Sequence, residues 1–120
     1  MRDFRTLIVW QMAHQMVLAV YEVIKGLPRE ERFAITDQLR RAAVSVPTNI
    51  AEGCGQLSRN QFARFLQISI ASASETEYLL LLCRDLNYLP DDQYAKLHQQ
   101  LTQIRKMLTK LVKKLQEGEK

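Results

Sequence analysis

Glycine and proline are scarce in this chain, which contains four and three of them among 120 residues. Because both residues interrupt regular structure, their scarcity favours a few long elements over many short ones. Cysteine is limited to Cys54 and Cys83, whose wide separation is typical of free thiols rather than of a disulfide framework. The two histidines, His14 and His98, have no other ligand at metal-binding spacing, so we predict no metal site and no cofactor.

Apolar runs long enough to cross a membrane are also missing. The run at residues 78–83 is far shorter than the roughly 18 residues that a membrane helix needs. The N-terminal residues carry acidic and polar side chains too early for a secretory signal. Hydrophobic residues make up 47% of the chain and charged residues 25%, which is the range of globular proteins. We therefore expect one cytoplasmic domain over residues 1–120 that makes no contact with a membrane.

Residues 38–53 carry two parallel stripes that predict a central helix. One stripe is apolar, begins just upstream and recurs at helical spacing, at Ile35, Leu39, Ala42, Val46 and Ile50. The second lies about 100° round the same helix and is called the polar stripe: Gln38, Arg41, Ser45, Asn49 and Glu52. Because the polar stripe is not the surface rich in Lys and Glu that usually faces solvent, we predict that it is partly buried and hydrogen-bonded. A polar stripe that simply faces water is the alternative.

Buried polar side chains require partners, so the polar stripe predicts a network between helices. Glu75 and Glu77 lie on a later predicted helix and are the expected partners of Arg40 or Arg41. The full predicted network comprises Arg40, Arg41, Asn49, Glu52, Glu75 and Glu77.

Several residues predict where the central helix begins, changes direction and ends. Thr36 and Asp37 would give its first turn an oxygen cap and an acidic side chain. Pro47 has no N–H to donate, so we expect a bend or the start of a new segment there. Gly53 and Gly55 predict a left-handed C-cap, since glycine readily adopts a positive φ.

Three further helices complete the predicted architecture. The first covers about residues 6–26, the third follows a capping box at residues 58–61 and runs to about residue 87, and the fourth begins at Asp91. The fourth has the cleanest period, which alternates three and four residues: Tyr94, Leu97, Leu101, Ile104, Leu108, Leu111 and Leu115. Four long helices with short connections predict an all-α, antiparallel up-down-up-down four-helix bundle.

Two segments carry more apolar surface than one bundle core requires. A helix in an isolated bundle needs about one apolar stripe. The first helix carries two, namely Val9, Ala13, Met16, Val20 and Val23, and beside them Trp10, Val17, Tyr21 and Ile24. Residues 78–83 are apolar all round. These features favour self-association, and a wide stripe facing a deep core is the alternative for the first helix.

Positive charge is concentrated towards the end of the chain. Residues 1–95 contain ten Lys or Arg and eleven Asp or Glu, whereas residues 96–120 contain seven and two. Because phosphate contacts dominate the binding of nucleic acids, the predicted contacts are Arg105, Lys106, Lys110, Lys113 and Lys114. The alternative is that these side chains only complement the helix dipole and solvate the surface. No aromatic residue interrupts the basic run, so base-specific readout is not expected.

Three segments of the chain form a recognisable set: FRTLIVWQMAHQMVLAVYEVI, then QLRRAAVSVPTNIAEG, then FARFL followed by Glu75 and Glu77. Together they resemble the four-helix-bundle family of 23S ribosomal RNA intervening-sequence proteins. The resemblance extends over nearly the whole chain, with a more distant similarity to the accessory variability proteins of diversity-generating retroelements. It implies a ring-like homopentamer with a nucleic-acid-associated role. Because the retroelement relatives are partners of a reverse transcriptase and its RNA, the implied partners are RNA or DNA, and a reverse transcriptase or another protein.

Two functions follow from these observations, and a third is disfavoured. The first is a homo-oligomeric accessory protein that binds RNA or DNA phosphates through its basic final helix. The second is a protein–protein adaptor or scaffold with no nucleic-acid role, in which the extra apolar stripes serve self-assembly and one partner. An enzyme is disfavoured because Glu52 and Glu75 lack the Glu-x-x-His spacing of di-metal bundles. We therefore predict a non-enzymatic protein in which these carboxylates form a structural salt link.

Overall fold

Four α-helices make up most of the computed structural model, which describes residues 2–118. They are α1 (Ile8–Lys25), α2 (Ile35–Cys54), α3 (Arg59–Asp85) and α4 (Asp91–Glu117). Single 3-10 turns precede α1 and α2, and the described residues contain no strand. Each helix packs against the helices before and after it in the chain, and α1 also packs against α4. The predicted all-α four-helix bundle is confirmed, and it measures 49 × 23 × 20 Å.

The predicted apolar periods form the core. In α2, the side chains of Leu39, Val46 and Ile50 are fully buried. In α4 the predicted positions from Leu97 to Leu108 are buried and so is Leu115, whereas Leu111 is only partly buried and Val112 beside it is buried. A straight helix drifts by about 20° per seven residues against a strict heptad, so Val112 takes the core position in that turn.

The N-terminal ends of the last two helices are as predicted. The Ser58 hydroxyl caps α3 by accepting a hydrogen bond from the backbone N–H of Gln61 at 3.1 Å. Asp91 and Asp92 lie in the first turn of α4, where their charge suits the helix dipole. The third helix therefore begins immediately after the predicted cap.

The predicted caps of α2 are wrong, although Asp37 lies in the first turn of the helix as predicted. The helix begins at Ile35 after an Ala34 N-cap without a side-chain hydrogen bond, and Thr36 is buried inside the first turn. Its C-cap, Gly55, has a right-handed φ of −81°. Gly53 instead allows close packing, because a Cβ there would lie 2.9 Å from the Phe62 ring. The glycine is required by the approach of α3, not by a turn.

Helix α2 runs through Pro47 as one element, so the alternative of a new segment starting there is not realised. Side chains add hydrogen bonds to carbonyls beside the proline. Thr48 Oγ1 donates to Val44 O at 2.7 Å, and Ser69 Oγ, from α3, donates to Val46 O at 2.8 Å. Pro47 has no backbone N–H to donate, and these two hydroxyls supply hydrogen-bond donors to carbonyls in the same part of the helix.

Candidate nucleic-acid interface

The bundle has two ends of different charge. At one end α1 and α3 begin while α2 and α4 finish, since Arg2 N–H donates to Cys54 O at 2.9 Å and Arg59 Nε donates to Leu115 O at 3.4 Å. We call the half of the bundle at this end the basic half, and it comprises residues 2–13, 46–71 and 106–118. The other half, residues 14–45 and 72–104, is called the acidic half. Arg105 lies at the boundary.

Charge divides unevenly between the two halves. The basic half contains eight Lys or Arg (Arg2, Arg5, Arg59, Arg64, Lys106, Lys110, Lys113 and Lys114) against three acids (Asp3, Glu52 and Glu117). The acidic half contains seven Lys or Arg (Lys25, Arg29, Arg32, Arg40, Arg41, Arg84 and Lys96) against nine acids (Glu22, Glu30, Glu31, Asp37, Glu75, Glu77, Asp85, Asp91 and Asp92). The basic half therefore has a net charge of +5, and the acidic half has a net charge of −2. A polyanion approaching the molecule is steered to one end.

Four predicted phosphate contacts on α4 are exposed lysines: Lys106, Lys110, Lys113 and Lys114. They point outwards because the core positions of the helix, such as Leu108 and Leu115, take the opposite side. No acidic residue occurs between Asp92 and Glu117. None of the four lysines forms an ion pair within residues 2–118. Their positive charge is therefore uncompensated on the described surface.

The lysines border a shallow groove of about 410 Å³ along α4. Its walls are Thr102, Arg105, Lys106, Thr109, Lys110 and Lys113. Two atoms of this set, Thr102 Oγ1 and Arg105 Nε, are buried without a hydrogen-bond partner among the described residues. An unsatisfied buried polar group costs roughly 1–3 kcal/mol. The groove is therefore lined by four cationic side chains, and two buried polar atoms of its walls have no hydrogen-bond partner among the described residues.

Arg105, the fifth predicted contact, is engaged inside the protein. Its Nη2 lies 2.8 Å from Glu77 Oε2, and His98 Nδ1 lies 2.7 Å from Glu77 Oε1. The Glu77 side chain is only 18% exposed, so this pair links α3 to α4 in a partly dry environment. The charge of Arg105 is largely compensated, which makes it a weaker candidate for phosphate contact than the lysines.

The predicted pairing of Arg40 or Arg41 with Glu75 or Glu77 is wrong. Both guanidinium groups instead contact Asp37 on their own helix, with Arg41 Nη1 at 3.3 Å from Asp37 Oδ2. Asp37 lies three and four residues before them, which is the spacing at which side chains on one helix meet. Glu75 accepts a hydrogen bond from Gln38 Nε2 at 3.4 Å.

The centre of the polar stripe is partly buried, as predicted, whereas its ends face solvent. Ser45 Oγ lies 2.7 Å from Ser72 Oγ of α3, and Asn49 Nδ2 donates to Ser45 Oγ at 2.9 Å. Gln38, Arg41 and Glu52 are exposed. The six predicted network residues are therefore divided among separate groups, and neither Glu52 nor Glu75 forms the predicted salt bridge within residues 2–118.

Sequence reasoning did not predict the ion pairs of Asp37, the polar contacts of Ser72 and His98, or the exposed cation Arg64. The ion pairs of Asp37 could have been predicted from its spacing to Arg40 and Arg41. The partnerships of Ser72 and His98 depend on the register between helices, for which the sequence carries no signal. Arg64 stands alone in the sequence and is exposed on α3 in the basic half.

The cysteines are free and buried. Burial raises the pKa of the Cys83 thiol to about 11, with Glu31 adding to the effect. Burial also raises the pKa of Cys54, and Arg2 opposes that shift. Within residues 2–118, no three His, Cys, Asp or Glu side chains lie close enough to hold a metal ion. In the same part of the chain, no helix is both long and apolar enough to span a bilayer.

Comparison with known proteins agrees with this fold. The model of the family described as "23S rRNA-intervening sequence protein" matches residues 5–110. A crystal structure from Bacteroides thetaiotaomicron, described as a protein with unknown function from the S23 ribosomal protein family, is 29% identical with a TM-score of 0.82. The match covers 88% of this chain and 99% of that one. No curated protein matches the chain. The chain belongs to the family of 23S rRNA-intervening sequence proteins.

Proposed function

We propose that this chain is a non-enzymatic, cytoplasmic accessory protein that binds the phosphates of RNA or DNA. The observation that carries the proposal is the row of exposed lysines at 106, 110, 113 and 114, which has no acidic residue within its own helix segment and no ion-pair partner among the described residues. Arg105 lies at the edge of this row and contributes after its pairing with Glu77 is loosened. The intervening sequence in the family name is itself an RNA element, which is consistent with such a ligand.

The strength of such binding depends on salt. Each phosphate neutralised on duplex DNA contributes about −0.9 to the slope of log K against log salt concentration. Four lysines therefore predict a slope of roughly −3 to −4 for one protomer. The absence of aromatic residues from the lysine row, residues 105–114, predicts little discrimination among base sequences, because base-edge and stacking contacts are few.

Self-association is part of the proposal and rests on apolar side chains that one bundle leaves exposed. Ile8, Leu18 and Tyr21 of α1 are 64, 48 and 41% exposed. The family resemblance implies a ring of five protomers, in which several weak lysine rows act together on one polyanion. Sedimentation analysis is expected to give about five times the chain mass of 14.0 kDa. A monomer at micromolar concentration would contradict this part of the proposal.

The proposal is tested by changing Lys106, Lys110, Lys113 and Lys114 together to Gln. Loss of four phosphate contacts is expected to abolish most of the binding and most of its salt dependence, measured by fluorescence anisotropy with labelled RNA and DNA. The matched control removes the same charge from the acidic half, at Lys25, Arg29, Arg32 and Lys96, and should retain binding. If both variants lost the same affinity for nucleic acid, binding would depend only on the net charge of the protein, which would contradict the proposal.

A specific feature of the acidic half supports a second candidate function, that of a protein–protein adaptor. A cleft of about 470 Å³ lies between α2 and α3 and is lined by Phe33, Ala34, Asp37, Gln38, Arg41, Ala42, Ser45, Ser72 and Glu75. Phe33 is 86% exposed. A partner such as a reverse transcriptase or another protein would cover this ring. Nuclease-resistant co-purification of one protein with the natural chain, lost on Phe33→Ala, would favour this function.

A further inference from the structure

One carboxylate on α3, that of Glu77, contacts two side chains of α4 at the same time. Glu77 Oε1 lies 2.7 Å from His98 Nδ1, and Glu77 Oε2 lies 2.8 Å from Arg105 Nη2. The side chain of His98 is 52% exposed, so it exchanges protons with solvent. We call these three side chains the shared-carboxylate cluster. The cluster adjoins the lysine row, because Arg105 is also a wall of the groove that Lys106 and Lys110 line.

Arg105 is held in the shared-carboxylate cluster by one of its nitrogens. Nη2 donates to both oxygens of Glu77, at 2.8 and 3.1 Å. Arg105 Nε is buried and has no hydrogen-bond partner among the described residues. A guanidinium that uses two nitrogens on one carboxylate forms the stronger, fork-like pair. A phosphate in the groove therefore competes for an arginine that Glu77 holds less firmly than such a pair would.

The charge of the shared-carboxylate cluster depends on whether His98 is protonated. Histidine is the side chain that ordinarily changes charge between about pH 5 and pH 8. With a neutral ring, the cluster has one positive and one negative charge. With a protonated ring, the single charge of Glu77 faces two cations, and the cluster has a net positive charge. Protonation therefore reduces the compensation of Arg105 at the point where the lysine row begins.

Glu77 is the one carboxylate that contacts His98 within the described part of the chain. On α4 itself, Tyr94 stacks against the His98 ring at 5.8 Å, and Arg84 of α3 lies 4.7 Å from the ring of the same tyrosine. Helix α1 also packs against α4, but its acidic Glu22 lines a separate cleft that does not include His98. Helix α2 does not pack against α4. Protonation of His98 is therefore sensed chiefly through Glu77.

We propose that protonation of His98 strengthens nucleic-acid binding by releasing Arg105 from Glu77 to a phosphate. The inference rests on the proposed function and adds regulation by pH to the same site. Because the protonated ring continues to compensate Glu77, Arg105 can turn from the carboxylate to an anion in the groove without leaving a carboxylate unpaired. His98 is a positioning residue, since it acts through Glu77 and makes no phosphate contact itself. Mildly acidic solution thus adds one cation to the lysine row.

The test measures affinity for labelled RNA and labelled DNA by fluorescence anisotropy over a salt series, at about pH 5.5 and about pH 7.5, which lie within the usual histidine range. Wild-type protein should bind about two- to fivefold more tightly at the lower pH, which is the size expected of one partly exposed charge pair. Its salt slope should also be steeper by about 1, because one more phosphate is neutralised. Circular dichroism at both pH values verifies that each protein is helical.

The two histidines of the chain, His14 and His98, give a matched pair of variants. His98→Asn should bind equally at the two pH values. His14→Asn removes the same titrating group from α1, where the ring stacks on Trp10 at 5.1 Å and has no ion-pair partner among the described residues. This variant should keep the full response to pH. Arg105→Gln should lose the response although His98 is still present.

The opposite results overturn the inference. Wild-type binding that does not depend on pH, or a response to pH that survives His98→Asn, would contradict it. A response that survives Arg105→Gln would show that the proton acts through net charge and not through release of the arginine, which also contradicts it. In these cases the lysine row still binds phosphates, so the proposed function stands. No binding at either pH by well-folded protein would overturn the proposed function and this inference with it.

Discussion

The two halves of this bundle share one core but differ in what they do with charge. In the acidic half and at its boundary, several arginines and His98 have carboxylate partners, as in the contacts of Asp37 with Arg40 and Arg41 and of Glu77 with His98. In the basic half the α4 lysines have no partner among the described residues, and the pairing of Arg5 with Asp3 is local. Apolar periodicity therefore determines the fold along the whole length of the bundle, while the placement of acidic residues determines which surface attracts an anion.

The largest expected difference is in stability, between substitutions at two glycines that lie at helix ends, one in each half. At Gly53 a Cβ would meet the Phe62 ring at 2.9 Å and Phe65 Cβ at 3.1 Å, whereas at Gly26 the nearest atom is 3.6 Å away. Gly53→Val should therefore lower the free energy of unfolding by about 2–3 kcal/mol, because α2 and α3 are forced apart. Gly26→Ala should change it by no more than about 0.5 kcal/mol. Chemical denaturation measures both, and equal effects would contradict the packing role of Gly53.

A smaller effect is expected at the boundary between the halves. Glu77→Gln removes the charge that compensates Arg105, so Arg105 becomes available to the lysine row. Loss of this partly exposed pair should cost about 1 kcal/mol of stability. The salt slope of nucleic-acid binding should steepen by about 1.

Asp37→Asn is the matched control, because it removes one negative charge from the acidic half and frees Arg40 and Arg41. These arginines lie in the other half of the bundle, so the salt slope should stay as in the wild type. A similar rise in affinity in both variants would show that net charge alone, and not the position of the charge, controls binding.

The smallest expected effect is a difference in alkylation rate between the thiols of Cys54 and Cys83. Burial raises the pKa of both, but Arg2 opposes the shift at Cys54, whereas Glu31 adds to it at Cys83, whose pKa is about 11. Because the thiolate is the reactive form, alkylation of the native protein near pH 8 should be slow at both sites and slower at Cys83. Mass spectrometry of single-cysteine variants measures the two rates. Faster alkylation of Cys83 than of Cys54 would contradict this order of the two thiol pKa values.

The sequence predicted the elements of the fold because each helix has an apolar period and α3 begins at a conventional cap. It did not predict the partners of the polar side chains. Arg41 was expected to reach Glu75 on another helix, yet Asp37 is one turn away on its own helix. The side-chain contacts of Ser72 and Glu77 depend on how helices slide past one another, and residue spacing within one helix does not define that register.

The lysines of the candidate site could be read directly from the sequence because their charge is local and uninterrupted by acids. The engagement of Arg105 could not be read in this way, since its contact with Glu77 comes from the packing of α3 against α4. The role of Gly53 was hidden for the same reason. A glycine near a helix end predicts a turn by default, whereas here it is the neighbouring Phe62 that excludes a side chain.

The most direct test of the unequal halves is a lysine footprint, in which exposed amines are acetylated with and without bound RNA or DNA and then quantified by mass spectrometry. The six lysines outside the C-terminal residue all lie on exposed surface, four in the basic half and two, Lys25 and Lys96, in the acidic half. We expect the nucleic acid to protect Lys106, Lys110, Lys113 and Lys114 and to leave Lys25 and Lys96 reactive. Protection of Lys25 and Lys96, with the α4 row still reactive, would contradict the account.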